Sequence, residues 1–394
     1  METVGILVES LKNGGAERAA ANLSHDLSEK YQVVVIVFDG TNIAYPYNGK
    51  LIDLKLRPSN NILQRVSNRI STIKRIKDIR EKEKIIALIS FMPNANLYNV
   101  KSQGIGKTII SIRSTMSQKN LSKYRKYLIK KCGIKSDVTV VLSESSKIDL
   151  IQNFNYPKDK AITIYNSCDY HWFHVKDEHV DNLINTFDFS RPTFVTAGRC
   201  IDIKGQWHLI RAISLVKEKF FDVQLVIFGE GELKEQLEDY TNELGVQNNV
   251  FFMGYTKNYH AFMEKCNAFV FSSLYEGLGN VILEAIACGM PVISVDCNYG
   301  PKEILCKDPK KSIKDITYSD YGILIPAFSM ENFLQNTKFE NSDYLFANAM
   351  ISLLEDEKLI ENYKVMSLKR AKDFLPEKIK EKWFLVIEGK YNEN

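Results

Sequence analysis

The sequence predicts an α/β protein built from two doubly wound, Rossmann-like domains that face each other across a cleft. Three observations lead to this fold class. The 394 residues exceed what one ordinary core requires, so two domains are expected. Short β-branched runs alternate with helical patterns, which is typical of parallel sheets with crossover helices. The alternation stops once, over residues 169–191, where we place a linker.

Each series of strands is interleaved with helices. The first series is predicted at Val4–Val8, Val33–Phe38, Ile85–Ser90, Thr108–Ser111, Val138–Leu142 and Ile162–Tyr165. The second is predicted at Thr193–Ala197, Val223–Phe228, Val250–Phe252, Ala268–Ser272, Pro291–Val295 and Gly322–Ile325. Helical periodicity is found at Ala16–Ser28, Gln206–Lys219, Leu233–Leu244, Leu278–Cys288, Asp343–Asp356, Lys358–Asp373 and Pro376–Tyr391. Ligands of such domains bind at the carboxyl ends of the strands.

Composition indicates a soluble globular protein of the cytoplasm. Hydrophobic residues make up 45% and charged residues 25% of the chain. Met1 leads directly into a strand, so we expect no secretion signal, and no apolar stretch of about 18 residues is present for a spanning helix. The seven cysteines are scattered, without a C-x-x-C pair, and fit buried thiols in a reducing compartment.

Charge is distributed unevenly. Residues 1–168 carry 27 Lys and Arg against 14 Asp and Glu, whereas residues 169–394 carry 25 against 34. The extreme segment, residues 107–136, has nine Lys or Arg and no acid, and part of it has the pattern of a basic amphipathic helix. A solvated helix face and attraction to an anionic membrane or lipid phosphate both explain it. Nucleic-acid binding is disfavoured because no recognised binding module accompanies the charge.

The densest motif runs from Ser272 to Ser294. A buried strand ends at Ser272, a loop carries Glu276, and a helix opens near Gly279 with N–H groups that suit a diphosphate. Glu284 lies two turns along, inside an otherwise apolar run, where an unpaired carboxylate would be costly. The alternative, an exposed helix Glu and an unrelated loop Glu, explains each residue singly but not the whole strand–loop–helix unit.

A second cluster follows the strand at Thr193–Ala197. Arg199 and Lys204 are five residues apart between that strand and the next helix, a pair suited to clamping a pyrophosphate. Two solvated cations are the plainer interpretation. Further glycine turns occur after other strands, at Gly14-Gly15 and Gly229. Neither forms a complete dinucleotide fingerprint, so a dehydrogenase is disfavoured.

The histidines argue against two other chemistries. His25 is the only histidine before position 171, so a Ser-His-Asp triad in the first domain would depend on this single residue and is disfavoured. His171, His174 and His179 cluster in the predicted linker, and we interpret them as solvated loop residues rather than a metal site.

Together these motifs resemble the retaining glycosyltransferases of family 4, which have the GT-B architecture, and in particular bacterial enzymes of surface-polysaccharide or lipid-linked oligosaccharide assembly. The resemblance covers nearly the whole chain. Its motifs are Gly14-Gly-Ala-Glu-Arg, Ile164-Tyr-Asn-Ser, Gly198-Arg with Lys204-Gly, Phe228-Gly-Glu-Gly-Glu-Leu, Gly254-Tyr, the Glu276 and Glu284 pair, and Asp296 to Leu305.

The resemblance implies a division of labour. Residues 1–168, with a returning C-terminal helix at 376–394, would bind the acceptor, and residues 169–375 would bind a nucleotide-sugar donor. In the donor site, Arg199 and Lys204 would neutralise the diphosphate, Glu276 would hold the sugar and Glu284 the ribose. The remaining donor-binding positions would be Gly15, Gly229, Glu230, Tyr255, Gly279 and Asn280.

The same resemblance implies the reaction and its partners. The enzyme would transfer a hexosyl or N-acetylhexosaminyl group from a nucleotide diphosphate sugar, with UDP favoured, without cofactor or metal. The saccharide acceptor would be lipid-linked, at the inner face of the cytoplasmic membrane, as in lipopolysaccharide or capsule synthesis. Arg113 stands where some relatives have a functional His, and Arg113 and Lys119 are acceptor-binding candidates. An epimerase or a non-catalytic nucleotide-binding protein is the alternative.

Overall fold

The protein folds into two compact units, Met1–Asn166 with Pro376–Asn394, and Ser167–Leu375. The structure is a computed structural model. It describes residues 1–12, 14–56, 61–113, 116–117, 121–168, 177–256, 258–335 and 338–391, with the backbone alone described for residues 62–66.

The first unit contains a wholly parallel sheet of seven described strands in the order β3-β2-β1-β4-β5-β6-β7. Its strands are β1 (Thr3–Val8), β2 (Gln32–Val37), β3 (Lys50–Asp53), β4 (Ile85–Phe91), β5 (Lys107–Ile112), β6 (Val138–Val141) and β7 (Ala161–Thr163). Its helices are α1 (Gly15–Ser28), α2 (Ile62–Lys82), α3 (Pro93–Lys101), α4 (Lys123–Lys135), α5 (Glu144–Phe154) and α14 (Pro376–Glu388).

The second unit has the related order β10-β9-β8-β11-β12-β14-β13, and only its described edge pair, β13 with β14, is antiparallel. Its strands are β8 (Thr193–Ala197), β9 (Gln224–Phe228), β10 (Val250–Gly254), β11 (Ala268–Phe271), β12 (Val292–Val295), β13 (Thr317–Tyr318) and β14 (Ile323–Ile325). Its helices are α6 (Glu178–Thr186), α7 (Gln206–Val216), α8 (Lys234–Glu243), α9 (His260–Met263), α10 (Asn280–Ala287), α11 (Pro301–Leu305), α12 (Asn341–Glu355) and α13 (Glu357–Ala371).

Both sheets have the topology that places a ligand site at a switch point. In each, the first strand lies between the second and the fourth, so the chain leaves β1 and β4, or β8 and β11, towards opposite sides. The loops after these strands therefore diverge and leave a crevice at the carboxyl edge. The predicted fold class, two doubly wound α/β units, is confirmed.

The last helix completes the core of the first unit. Trp383 and Phe384 of α14 are buried in the cluster that also contains Val4 and Ile6 of β1. Trp383 lies 6.4 Å from the ring of Phe91, and Phe384 meets Tyr31 edge-on at 5.9 Å. Burial of large aromatic side chains stabilises strongly, so α14 is an integral part of this core.

The interpretation of residues 169–191 as a linker was wrong where the structure describes it. Helix α6 occupies Glu178–Thr186, and its N-cap Asp177 accepts hydrogen bonds from the His179 N–H at 3.1 Å and the Thr256 hydroxyl at 2.6 Å. The helix spans nine residues, and its apolar Val180, Leu183 and Ile184 have the i, i+3 and i+4 spacing of one helix face, a short period that the linker interpretation overlooked. It belongs to the second unit.

Candidate active site

Four loops meet at the carboxyl edge of the second sheet. The Gly198 N–H donates to the Phe228 carbonyl at 2.9 Å, and the Gly229 N–H donates to the Gly254 carbonyl at 2.8 Å. On the other side, the Leu274 N–H donates to the Ile203 carbonyl at 2.8 Å. These bonds join the loops that follow β8, β9, β10 and β11, the four strands around the switch point.

Two glycines permit the close approach of these loops. Gly229 has a φ of 144°, and a Cβ there would lie 2.0 Å from the Gly198 carbonyl oxygen. Gly205 has a φ of 58°, and its Cβ would lie 2.5 Å from the Ser272 carbonyl oxygen. A side chain at either position would displace backbone, so the loop arrangement requires glycine.

Lys204 and Glu276 form an ion pair at the centre of this edge. Lys204 Nζ contacts Glu276 Oε1, to which the Ser273 hydroxyl also donates at 3.2 Å. The two side chains are 22% and 19% exposed. Sequence reasoning assigned the cation to a phosphate and the carboxylate to a sugar, and did not foresee that they pair with each other.

Arg199 lies in the same loop as Lys204, and its side chain is exposed. The Gln206 side-chain amide donates to the Gly198 carbonyl at 3.2 Å and to the Arg199 carbonyl at 3.3 Å, which fixes the backbone that carries the guanidinium. Within the described ranges, no hydrogen-bond partner of that guanidinium is found. Arg199 therefore presents an exposed positive charge from the loop that also carries Lys204.

Helix α10 begins at this edge. Its N-cap, Gly279, has a φ of 93°, and Asn280 is the first helical residue. The amides at such a helix start have no intrahelical acceptor and carry a partial positive charge. Gly279, Asn280, Arg199 and Lys204 thus place backbone donors and cations at one edge of one unit.

Glu284 of α10 is 5% exposed and held by two side chains that sequence reasoning missed. The Tyr259 hydroxyl donates to Glu284 Oε2, and His260 Nε2 lies 3.2 Å from the same oxygen. Tyr259 also stacks on Phe228 with ring centroids 5.7 Å apart. The cost of burying a carboxylate predicts that Glu284 needs partners. The sequence does not identify them, because Tyr259 and His260 are 25 and 24 positions away from Glu284 and no local pattern links such distant residues.

Other predicted donor residues lie at the rim of the same edge. Gly229 and Glu230 follow β9, and the Glu230 carboxylate accepts from Lys234 Nζ at 2.9 Å. This contact raises the pKa of Lys234. Tyr255 follows β10 and is 59% exposed, so its ring is available for contact with a ligand.

The predicted residues of the first unit lie at its own carboxyl edge. Gly15 is the first residue of α1, directly after the loop that follows β1. Arg113 follows β5, and its guanidinium carbon lies 5.6 Å from the centre of the Phe91 ring. Burial lowers the pKa of Arg113 to about 10. Lys119 lies outside the described residues.

The histidine-rich segment is described only in part. His179 belongs to α6, whereas His171 and His174 lie outside the described part of the chain. Among the residues with described positions, no group of three or more His, Cys, Asp or Glu side chains is arranged to hold a metal ion. None of the described helices has the length and apolar character needed to cross a membrane.

Comparison with known proteins assigns the chain to a family. The Glycosyltransferase Family 4 model matches residues 13–172, and the model of Glycosyl transferases group 1 matches residues 183–320. The two parallel-rich sheets with alternating helices match solved structures that have the GT-B fold. The chain belongs to the glycosyltransferases that combine a family 4 N-terminal domain with a group 1 C-terminal domain, and it is a transferase, as the resemblance implied.

Two curated relatives illustrate the range of similarity. The uncharacterized glycosyltransferase MJ1059 of Methanocaldococcus jannaschii is 37% identical over 262 residues, which span 64% of each chain. A Campylobacter jejuni enzyme named N-acetylgalactosamine-N,N'-diacetylbacillosaminyl-diphospho-undecaprenol 4-alpha-N-acetylgalactosaminyltransferase is 28% identical over 95% of this chain and 96% of its own.

Solved structures share the fold. HepE of Anabaena, crystallised with UDP, has 16% identity and a TM-score of 0.76 over 99% of this chain and all of its own. A glycosyltransferase of Rickettsia africae has 14% identity and a TM-score of 0.79 over the full length of both chains. At this identity the likeness supports the GT-B fold alone.

Proposed function

We propose that this protein is a retaining glycosyltransferase that moves a hexosyl or N-acetylhexosaminyl group from a UDP-sugar to a lipid-linked saccharide in surface-glycan assembly. The observation that carries the proposal is the Lys204–Glu276 ion pair, together with the exposed cation of Arg199 in the loop that carries Lys204. This arrangement offers positive charge to a diphosphate and a carboxylate to sugar hydroxyls within one loop cluster.

The donor roles follow from chemistry at this edge. Arg199, Lys204 and the amides of Gly279 and Asn280 hold the diphosphate, while Glu276 turns to the sugar hydroxyls. Glu284, fixed by Tyr259 and His260, accepts hydrogen bonds from the ribose. Gly229, Glu230 and Tyr255 border the nucleoside. The UDP bound to HepE, a protein of the same fold, supports this choice of nucleotide.

The reaction needs no protein nucleophile. The acceptor hydroxyl oxygen bonds to the anomeric carbon as the bond from that carbon to the phosphate oxygen breaks, and the hydroxyl proton passes to a phosphate oxygen. Both events occur on one face of the sugar, so the configuration is retained. Arg199 and Lys204 stabilise the charge on the departing diphosphate. Electrostatic stabilisation of this kind, by groups already in place, is usually the largest single contribution to the rate enhancement.

A lipid-linked acceptor is supported by relatives and by charge. The Campylobacter jejuni relative is named for a diphospho-undecaprenol-linked substrate, and a second enzyme of that organism, 24% identical over 98% of this chain, is named for a PP-undecaprenol substrate. The acid-free, basic segment 107–136 complements an anionic membrane surface. We place the protein in the cytoplasm at the inner membrane face, with Arg113 and Lys119 as acceptor-binding candidates in the first unit.

Calorimetric titration with UDP, GDP and NAD tests the donor site. UDP is expected to bind, and Arg199→Ala is expected to weaken this binding by about tenfold or more, because a charged hydrogen bond to the diphosphate is lost. Lys369→Ala, which removes an exposed cation at the end of α13, is the matched control and is expected to bind UDP like the parent protein. Binding of no nucleotide, or of NAD alone, would contradict the proposal.

A further inference from the structure

An apolar pocket of about 320 Å³ lies within the first unit, between α3 and α4. Six of its twelve described lining residues have branched aliphatic side chains, namely Leu97, Ile110, Ile112, Leu121, Leu128 and Ile129. Cys132 adds to this wall, and burial raises the pKa of its thiol to about 11, so it stays uncharged. The pocket is at the small end of the range for ligand sites.

The pocket separates two small core clusters. Ile110 and Cys132 belong to one cluster, while Ile112 and Met116 belong to the other. Apolar walls on both sides of the pocket offer favourable van der Waals contacts to an aliphatic group that enters between them.

The position of the pocket favours a ligand over a packing defect. Pro93 and Asn94 line it where α3 begins directly after β4, and Ile112 lines it at the end of β5. The pocket is therefore at the carboxyl edge of the sheet, the edge at which doubly wound domains bind their ligands.

The charge beside the pocket selects the ligand. Arg125 lines its wall, and α4 carries five lysines besides, with no acidic residue. Tyr124 and Tyr127 of α4 are 66% and 56% exposed. An apolar recess next to a basic, aromatic helix is complementary to a molecule with an aliphatic chain and an anionic head.

The geometry points to this pocket as the site for the chain of the acceptor's lipid carrier, next to its phosphate. The aliphatic segment enters among Leu97, Leu128 and Ile129, and the phosphate contacts Arg125. The inference rests on the proposed lipid-linked acceptor and adds where the lipid binds. The small volume accommodates the first part of a chain, whereas the remainder of a long carrier stays in the membrane.

Farnesyl diphosphate, inorganic diphosphate and farnesol are the probes of this site. They are titrated into the full-length protein with UDP at saturation, so that the donor site is occupied. Farnesyl diphosphate is expected to bind about tenfold or more tightly than inorganic diphosphate, because a filled apolar pocket contributes at least that factor. Equal affinities for the two diphosphates would overturn the inference.

Two kinds of variant distinguish the contribution of the lipid chain to binding from that of the phosphate head group. Leu128→Trp fills the pocket and is expected to remove the preference for farnesyl diphosphate, and Leu97→Phe fills it from the opposite wall should the first variant fail to fold. Arg125→Gln is expected to lower the affinity for farnesyl diphosphate but to leave the affinity for farnesol unchanged. Val365→Trp, on the exposed face of α13 in the second unit, is the matched control and should bind like the parent protein.

Vesicles containing phosphatidylglycerol distinguish the carrier from bulk lipid. Leu128→Trp is expected to bind these vesicles as the parent protein does. If it lost vesicle binding and still preferred farnesyl diphosphate, the pocket would hold a membrane lipid and the inference would be wrong. UDP binding is measured on the same preparations, so a failure of the donor site is seen separately from a failure of the pocket.

Discussion

The two units share a strand order at the switch point but differ in the loops that come after the strands. In the second unit, the loops after β8 and β11 carry a cation and a carboxylate that pair, Lys204 and Glu276. In the first, the strand ends lead to a glycine turn, an apolar pocket and Arg113. The sequence halves have opposite net charge, +13 for residues 1–168 and −9 for residues 169–394. Topology thus fixes where a ligand binds, and loop chemistry decides which ligand.

Among the described side chains, each unit also has one arginine with no exposed surface, and the two are held differently. Arg211 of α7 lies 3.4 Å from the Asp343 carboxylate, which also contacts His208 Nδ1 at 2.6 Å. Arg80 of α2 donates instead to neutral groups, among them Asn99 Oδ1 at 3.1 Å and the Lys107 carbonyl at 3.1 Å. Burial lowers the pKa of Arg80 to about 10, partly offset by the charge of Asp137.

The largest expected effect sharpens this contrast. Arg211→Met leaves the Asp343 carboxylate buried without its cation, so it should lower the free energy of unfolding by about 3–5 kcal/mol. Arg80→Met leaves only neutral acceptors behind and should cost about 1–3 kcal/mol. Denaturant unfolding of both variants against the parent protein measures the difference. Equal losses would mean that the charge of Asp343 contributes nothing beyond a neutral acceptor.

The next effect concerns the rate of transfer. Lys204→Ala removes the charge that we propose stabilises the departing diphosphate, so it should slow transfer about 100-fold or more. Glu276→Gln should slow it as well, yet leave UDP affinity unchanged or higher, because Lys204 no longer has a competing carboxylate. Initial rates with a panel of UDP-sugars and calorimetry with UDP measure both quantities.

The control for this pair is Lys369→Ala, which removes an exposed cation in the last turn of α13. It is expected to keep nearly the parent rate. A Glu276→Gln variant that lost rate and UDP affinity together would show that the carboxylate supports the nucleotide site rather than the sugar.

The smallest effect probes the charge difference between the halves. Reversal of Lys123 and Lys126 to Glu on α4 should weaken retention on phosphatidylglycerol vesicles, by about 1 kcal/mol for each lost cation near the surface. Vesicle sedimentation at low and high salt measures this, and salt should reduce the difference. The same reversal of Lys358 and Lys369 on α13 is the matched control. If both pairs had the same effect, the basic helix would have no special role at the membrane.

Most of the parallel core was predictable because its strands are β-branched runs. The missed strand β3 has the half-exposed sequence Lys-Leu-Ile-Asp, and β13 has only two residues. Helix α3 was missed because its buried face includes Asn96 and Asn99, whose side chains bond to neighbouring strands, so no apolar period is visible.

The site was predictable only one loop at a time. The motifs around Arg199 and Glu276 each signalled a strand end and a helix start, which local patterns encode. The Lys204–Glu276 contact joins residues 72 positions apart, and the Tyr259–Glu284 contact joins residues 25 apart. Such pairs depend on strand order, which one sequence does not specify through periodicity. The roles of the predicted donor residues stay predictions until the nucleotide titrations are made.

Helix α14 has a consequence for how the protein is made. The first unit needs Trp383 and its neighbours to close its core, but the ribosome adds them after the whole of Ser167–Leu375. Domains generally fold as they emerge, the N-terminal one first. Here the later unit has all of its residues before the earlier one does, so a nascent or truncated chain that ends before Pro376 exposes the apolar groove that α14 covers. Chaperone dependence should therefore concentrate in the N-terminal half.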